Sequence, residues 1–215
     1  MTFPLPHGLP GLFIALEGGD GAGKSTQATL LCRALEAGGR RVVRTREPGG
    51  TPIGETLRSL VLEHGHGEID ARTEALLFAA SRAAHVQQVI VPALERGDVV
   101  VCDRYIDSSV AYQGTGRGLG AQAVLDVNVW ATDGLLPDLT VLLDVDPAVG
   151  RSRRTAGAAA EDRLESEPDG FHAGIRDAFL ELARLAPERY VVLGASGTPE
   201  ELHRSIVAAL PGGSA

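Results

Sequence analysis

Two cysteines among 215 residues are too few to build a disulfide framework. Cys32 lies in a helix-forming segment and Cys102 at the end of a strand-like apolar run. Both read as buried thiols of a reducing compartment, and the chain is expected to be cytoplasmic. No apolar stretch approaches the roughly 20 residues that cross a bilayer, so no membrane partner is expected. Residues 1–11 lack a basic start followed by an apolar core, which argues against a secretory leader. Excess positive charge is missing too. The formal net charge is −8, which disfavours sequence-independent binding of nucleic acid. There is no internal repeat and no Pro/Ser-rich linker, and the length suits one well-buried unit, so residues 1–215 are read as a single domain. The Pro-Gly-Gly-Ser-Ala end reads as a frayed tail.

What is present is an alternation. Short β-branched runs, Leu12–Glu17, Arg41–Arg46, Val99–Asp103, Leu139–Asp144 and Tyr190–Leu193, predict strands. Between and after them, Gln27–Ala37, Ile53–Val61, Ala71–Arg96 (with a break near Pro92), Ala121–Thr132, Gly170–Ala186 and Pro199–Leu210 predict helices. Near-continuous apolar strands such as Val99-Val100-Val101 are those of a parallel sheet covered on both faces. The expected fold is therefore a three-layer α/β domain, a five-stranded parallel sheet flanked by helices, with ligands at the carboxyl ends of the strands.

Gly18-Gly19-Asp20-Gly21-Ala22-Gly23-Lys24-Ser25, followed by Thr26, fits the phosphate-cradling pattern G-x-x-x-x-G-K-[ST]. It has the required context, an apolar strand before and a helix after. Glycines let backbone N–H groups turn inward around phosphate oxygens. Lys24 would neutralise the outer phosphates and the Ser25 hydroxyl would hold Mg²⁺. The chain is thus expected to bind a nucleoside triphosphate. Guanine-specific switches need an Asn-Lys-x-Asp element, whereas the only asparagine, Asn128, is followed by Val129. Motor ATPases end a strand in Asp-Glu. Here the third strand ends in Asp103-Arg104, an acid suited to the Mg²⁺ shell beside a base suited to a second phosphate.

Several segments together resemble the thymidylate kinase family. They are Phe13-Ile14-Ala15-Leu16-Glu17-Gly18, Arg46-Glu47-Pro48-Gly49-Gly50-Thr51, Leu77-Phe78-Ala79-Ala80-Ser81-Arg82, Asp103-Arg104-Tyr105 with Ser108-Ser109, Ala111-Tyr112-Gln113-Gly114 and Asp162-Arg163-Leu164-Glu165. They occur in family order over about three quarters of the chain. The resemblance implies the P-loop nucleoside monophosphate kinase fold, transfer of phosphate from ATP to dTMP, Mg²⁺ and a homodimer. It implies that Phe78 and Arg82, four apart on one helix face, hold the thymine ring. It also implies that Arg46 reaches the acceptor phosphate. Tyr112 would pack beside the sugar and leave no room for a 2′-hydroxyl, while Gln113 and Ser109 offer polar groups to the base edge.

The variable loop positions carry no basic residue, so the cation that stabilises the moving phosphoryl group must come from elsewhere. An irregular segment, residues 151–167, is expected to be an arginine-bearing lid. Arg163 is the first candidate for that cation, followed by Arg154 and Arg153, with Arg151 also present. Asp20 is costly inside a phosphate cradle unless a metal or a hydroxyl compensates it. The resemblance directs it to the acceptor's sugar hydroxyl or a metal-bound water. Two histidines in a Gly-rich loop, His64 and His66, read as a solvated turn, and Trp130 as core or dimer interface. Two alternatives stay open, a P-loop kinase for another nucleoside monophosphate or deoxynucleoside, and a non-catalytic nucleotide-binding protein.

Overall fold

A computed structural model describes residues 7–156 and 161–210. The C-terminal five residues, read above as a tail, and positions 157–160 of the expected lid lie outside the described residues. Five strands, β1 (Leu12–Glu17), β2 (Val42–Arg46), β3 (Val99–Asp103), β4 (Leu139–Asp144) and β5 (Tyr190–Gly194), form one sheet in the order β2-β3-β1-β4-β5. Every neighbouring pair is parallel, with Ile14 opposite Val101 and Leu139, and Leu16 opposite Asp103 and Val141. Because successive side chains point to opposite faces, Phe13, Ala15, Val100, Cys102 and Leu142 feed one buried cluster, and Ile14, Leu16, Val99, Val101 and Val141 feed the other. Both faces of β1, β3 and β4 are therefore dry, as their apolar runs predict. All the strands run one way, so the loops after β1, β2 and β3 meet at one edge.

The helices that position this edge have sequence-readable starts. Helix α1 (Lys24–Ala37) opens straight from the Gly-rich loop, with Gly23 at φ 94° as its first cap. Helix α2 (Pro52–Leu62) is capped by Thr51, whose hydroxyl accepts from the Gly54 N–H, with Pro52 in the first turn. Helix α3 (Ala71–His85) is capped by Asp70, which accepts from Arg72 and Thr73 N–H. The expected single helix to Arg96 instead passes through a wide i→i+5 turn, Val86–Ile90, into α4 (Val91–Glu95). Pro92 cannot donate to Gln88 and its ring crowds that carbonyl, and the widened turn around Gln88 absorbs both.

A second wide turn decides the site. Short helix α5 (Ile106–Ser109) continues as a π-helical stretch, Val110–Gly116. The Tyr112–Gly116 segment is thus helical and buried for most of its length, although it holds Gly114 and Gly116. Then come α6 (Ala121–Ala131), α7 (Pro147–Thr155), α8 (Asp169–Leu185) and α9 (Pro199–Ala208). Arg151, Arg153 and Arg154 belong to α7, which Asp146 caps, and not to an irregular flap. Trp130, on α6, is 85% exposed, so its reading as core is corrected. His64 and His66 are exposed, in keeping with a solvated turn. Cys32 and Cys102 are free and buried.

Candidate active site

Residues Gly18 to Ser25 wrap the carboxyl end of β1 and run into the first turn of α1, where unpaired N–H groups and the helix dipole favour an anion. Close packing explains the glycine at position 21: with φ at +77°, a Cβ there would lie 2.0 Å from the Gly150 carbonyl oxygen of α7. Lys24, the only lysine of the chain, folds back to donate to the Gly18 and Gly19 carbonyls at 3.1 and 2.9 Å. Burial, reinforced by the neighbouring Arg104 guanidinium, pushes its ammonium down to about 8 against the opposing pull of Asp20, Asp103 and Glu17. The Ser25 hydroxyl donates to Asp103 at 2.6 Å. These two hard oxygens beside the cradle fit a small divalent cation such as Mg²⁺.

Arg104 stands at the centre. It is one of two described non-glycine residues with positive φ, at 69°, and this conformation turns its side chain from β3 back toward the loop. Its Nη1 donates to the Gly18 carbonyl and the Ser108 hydroxyl, and its Nη2 pairs with Asp20. The Tyr112 hydroxyl donates to the other Asp20 oxygen at 2.8 Å, and the Arg104 guanidinium lies 5.2 Å from the Tyr112 ring centre. Burial alone would raise the Asp20 carboxyl. Arg104, Lys24 and the Tyr112 hydroxyl overcome that and hold it well below the usual carboxylate range. A guanidinium and a phenol therefore compensate the acid that the sequence had assigned to a metal or a sugar hydroxyl.

Two hollows meet across this centre. One, a cleft of about 620 Å³ counting its open mouth, is lined by Phe78, Arg82, Ser109, Tyr112 and Gln113, an aromatic face with a few convergent polar groups that suits a planar base. The other runs along the loop from Asp20 to Gln27 and is flanked by Arg46, Asp103, Arg153 and Arg154, with Ala195, Gly197 and Leu202 at its far end. Asp20, Glu47, Arg58, Arg104 and Glu165 border both. Arg82 is almost wholly buried and mostly occupied. Its Nε donates to Glu47 at 2.6 Å, its Nη1 to Ser109 and Asn128, and one Nη2 N–H to the Tyr105 carbonyl. One of its five N–H groups has no protein acceptor among the described residues. Glu47 also takes a hydrogen bond from His85 at 2.8 Å, so each of its oxygens already has a donor. Glu47, His85 and Cys102 lie close enough to suggest a metal. Glu47 instead faces the Arg82 guanidinium and the His85 ring, and the Cys102 thiol donates to the Arg104 carbonyl, so hydrogen bonds account for the cluster.

The arginines divide differently from the expectation. Arg153 and Arg154 line the phosphate side of the cleft, and Arg154 is steadied by Glu161 at 2.7 Å. Arg163, the first candidate, points away from both hollows. Its Nε donates to the Val61 carbonyl at 2.9 Å, and its Nη2 pairs with Glu74, whose carboxylate is fully buried. Arg151 pairs with Asp169 outside the cleft. Arg46 lines the phosphate hollow but is tied to Glu55 and the Pro48 carbonyl. Arg58 and Gln27 were missed as wall residues. A signal existed for Arg58, since it lies four residues from both Gly54 and Leu62 on the buried stripe of α2.

A parallel sheet carrying a phosphate-binding loop, joined to a second, base-sized hollow through a shared arginine wall, defines a P-loop nucleoside monophosphate kinase. Comparison with known proteins narrows the class. The thymidylate kinase family model matches residues 16–206. The chain is 55% identical to a thymidylate kinase of Leifsonia xyli over 97% of this chain and 98% of that protein. It is 56% identical to one of Clavibacter sepedonicus, over 90% and 91%. A crystal structure of thymidylate kinase from Ehrlichia chaffeensis superposes with a TM-score of 0.78 at 32% identity, covering 94% of this chain and 99% of that one. This chain belongs to the thymidylate kinase family.

Proposed function

We propose that this chain transfers the γ-phosphoryl group of ATP to dTMP, giving dTDP and ADP. The observation that carries this reading is the shared wall. Asp20, Arg58 and Arg104 border the phosphate cradle and the base-sized hollow alike, so donor and acceptor phosphates would meet there. The acceptor phosphate oxygen attacks the γ-phosphorus in line and the bond to the β-phosphate oxygen breaks. A phosphate acceptor is already ionised, so alignment and charge stabilisation do the catalysis without a general base.

In this reading Lys24 and the N–H groups of Gly18, Gly19, Gly21, Ala22, Gly23, Ser25 and Thr26 hold the triphosphate, while Arg104, Arg58 and Arg46 hold the acceptor phosphate. Phe78 stacks on the base, Arg82 offers its remaining N–H, and Ser109 and Gln113 border the base edge. Tyr112 blocks a 2′-hydroxyl and, with Arg104, fixes Asp20. Arg154 and Arg153 supply the charge opposite the transferring group, with residues 151–167 as the lid that carries them. Arg163 is assigned to holding that lid. Ser25 and Asp103 would hold Mg²⁺, which neutralises triphosphate charge when bound. The free, buried cysteines support a cytoplasmic setting. A homodimer is supported by the exposed apolar residues Trp130 on α6, Leu76 on α3 and Ile53 on α2, since α3 packs against both other helices.

Coupled ADP release measured with dTMP, dUMP, dCMP, AMP and thymidine tests the reading. Turnover with dTMP and none with thymidine is expected. Turnover with thymidine but not dTMP would sink it, and equal, slow hydrolysis with every acceptor would favour a non-catalytic nucleotide binder.

A further inference from the structure

Glu74 has no solvent exposure, yet it carries four hydrogen bonds from three side chains. Its Oε1 accepts from Gln113 Nε2 at 2.9 Å and Arg117 Nε at 3.2 Å. Its Oε2 accepts from Arg117 Nη2 at 3.2 Å and from Arg163 Nη2. Arg117 in turn reaches Glu167 at 2.6 Å, so Glu74 joins α3, the π-helical stretch and the segment around Arg163. A carboxylate between two guanidinium groups accepts at every lone pair and donates nowhere.

This has a consequence for Gln113. The two ends of its amide are chemically opposite, and only the NH₂ end can face Glu74. The carbonyl oxygen, Oε1, is then the end left over. It has no protein donor among the described residues, and the residue lines the base-sized hollow. Turning the amide over would set one oxygen against another in a dry site and leave the NH₂ group without its acceptor.

We propose that Glu74 is a specificity-determining positioning residue: by fixing the polarity of the Gln113 amide, it makes the pocket select pyrimidines that carry a proton on ring N3 over those that do not. Thymine and uracil have an N3–H that donates to Oε1, whereas cytosine presents a bare lone pair there and meets repulsion. The inference rests on the reading that Gln113 borders the base. Glu74 touches no substrate itself. The paired arginines make the device robust, because they hold both carboxylate oxygens in place and leave the amide nowhere else to turn.

The test is Glu74→Gln in the full chain, with kcat/KM measured for dTMP, dUMP and dCMP. In that variant the new amide oxygen turns to the arginines and its NH₂ to Gln113, which inverts the Gln113 amide. The dTMP-over-dCMP ratio is expected to fall by about 10- to 100-fold, with dUMP following dTMP. Glu74→Asp, which keeps an acceptor-only group, is expected to hold the ratio while lowering all three values. Equal loss with every acceptor in Glu74→Gln would overturn the proposal and leave Glu74 a structural residue. Gln113→Leu separates the two layers: an unchanged ratio there means that Gln113 does not read the base at all. If Glu74→Gln fails to fold, the side-chain amide protons of Gln113 in the wild-type protein give the answer by NMR. They are expected to be protected from exchange with and without dTMP, and release or a large displacement on dTMP binding would contradict the proposal.

Discussion

The two hollows of the cleft, proposed above to hold donor and acceptor, are built by opposite means. The donor cradle is one stretch, Gly18 to Ser25, that offers backbone N–H groups and a single lysine to any run of phosphates. The acceptor hollow gathers side chains from the turn after β2, from α3 and from the π-helical stretch, and most of their polar atoms are spent on one another. A cradle made of backbone is local and tolerant of its ligand. A hollow made of buried, mutually bonded side chains is non-local and exacting, because one wrong group strands its partners. On that proposal, recognition of phosphate and recognition of a base are separable, and substitutions in the two halves should fail differently.

The largest effect is expected in the hollow. Arg82→Ala leaves the buried Glu47 carboxylate without its guanidinium, and loss of one partner from a buried pair costs about 3–5 kcal/mol. Denaturant unfolding should show this as a large fall in midpoint, and a loss under 1 kcal/mol would mean that the network is not cooperative. In the cradle, Lys24→Ala removes charge without stranding a buried acid. It should lower kcat by about 10²–10³-fold at nearly wild-type stability, and by the same factor for every acceptor.

A smaller contrast lies between two arginines. Arg154→Ala should reduce kcat by about tenfold or more with little change in the dTMP KM. Arg163→Ala should mainly lower the melting temperature and raise that KM, because it exposes Glu74 to loss of a partner. The reverse pattern in steady-state kinetics would return the charge-stabilising role to Arg163.

A separate effect, on stability alone, is one of pH. Glu17, at the end of β1 beneath the cradle, accepts hydrogen bonds from Tyr105 and Ser108. Burial first and the nearby Asp107 second push its carboxyl up from 4.5 to about 7. The folded chain therefore keeps a proton that the unfolded chain gives up between about pH 4.5 and 7. Raising the pH through that window withdraws stability, and the loss is complete above it. Urea unfolding of wild type should weaken relative to Glu17→Gln as pH rises from 4.5 to 7.5. A difference that is flat or grows in favour of wild type would refute the assignment.

Legibility in the sequence follows the same division. Strands β1, β3 and β4 begin and end where their apolar runs do, since strands buried on both faces carry no polar alternation to blur them. The cradle is legible because its geometry is encoded in eight consecutive residues. Phe78, Arg82, Tyr112 and Gln113, which motif resemblance assigns to the acceptor, converge on one hollow. Their partners were not legible. Glu74 is 89 residues from Arg163, and no local period links them. The π-helical course of Val110–Gly116 was hidden because its two glycines, at 114 and 116, read as loop. Gly116 is instead packed tightly, with space for no Cβ beside Phe171.

The separability of the two halves is tested most directly by kcat/KM for dTMP, dUMP and dCMP in Lys24→Ala and Gln113→Leu proteins, measured side by side with wild type. The account predicts that Lys24→Ala lowers all three by one common factor and that Gln113→Leu compresses the spread between them. A changed dTMP-over-dCMP ratio in the lysine variant, or a uniform loss in the glutamine variant, would contradict it.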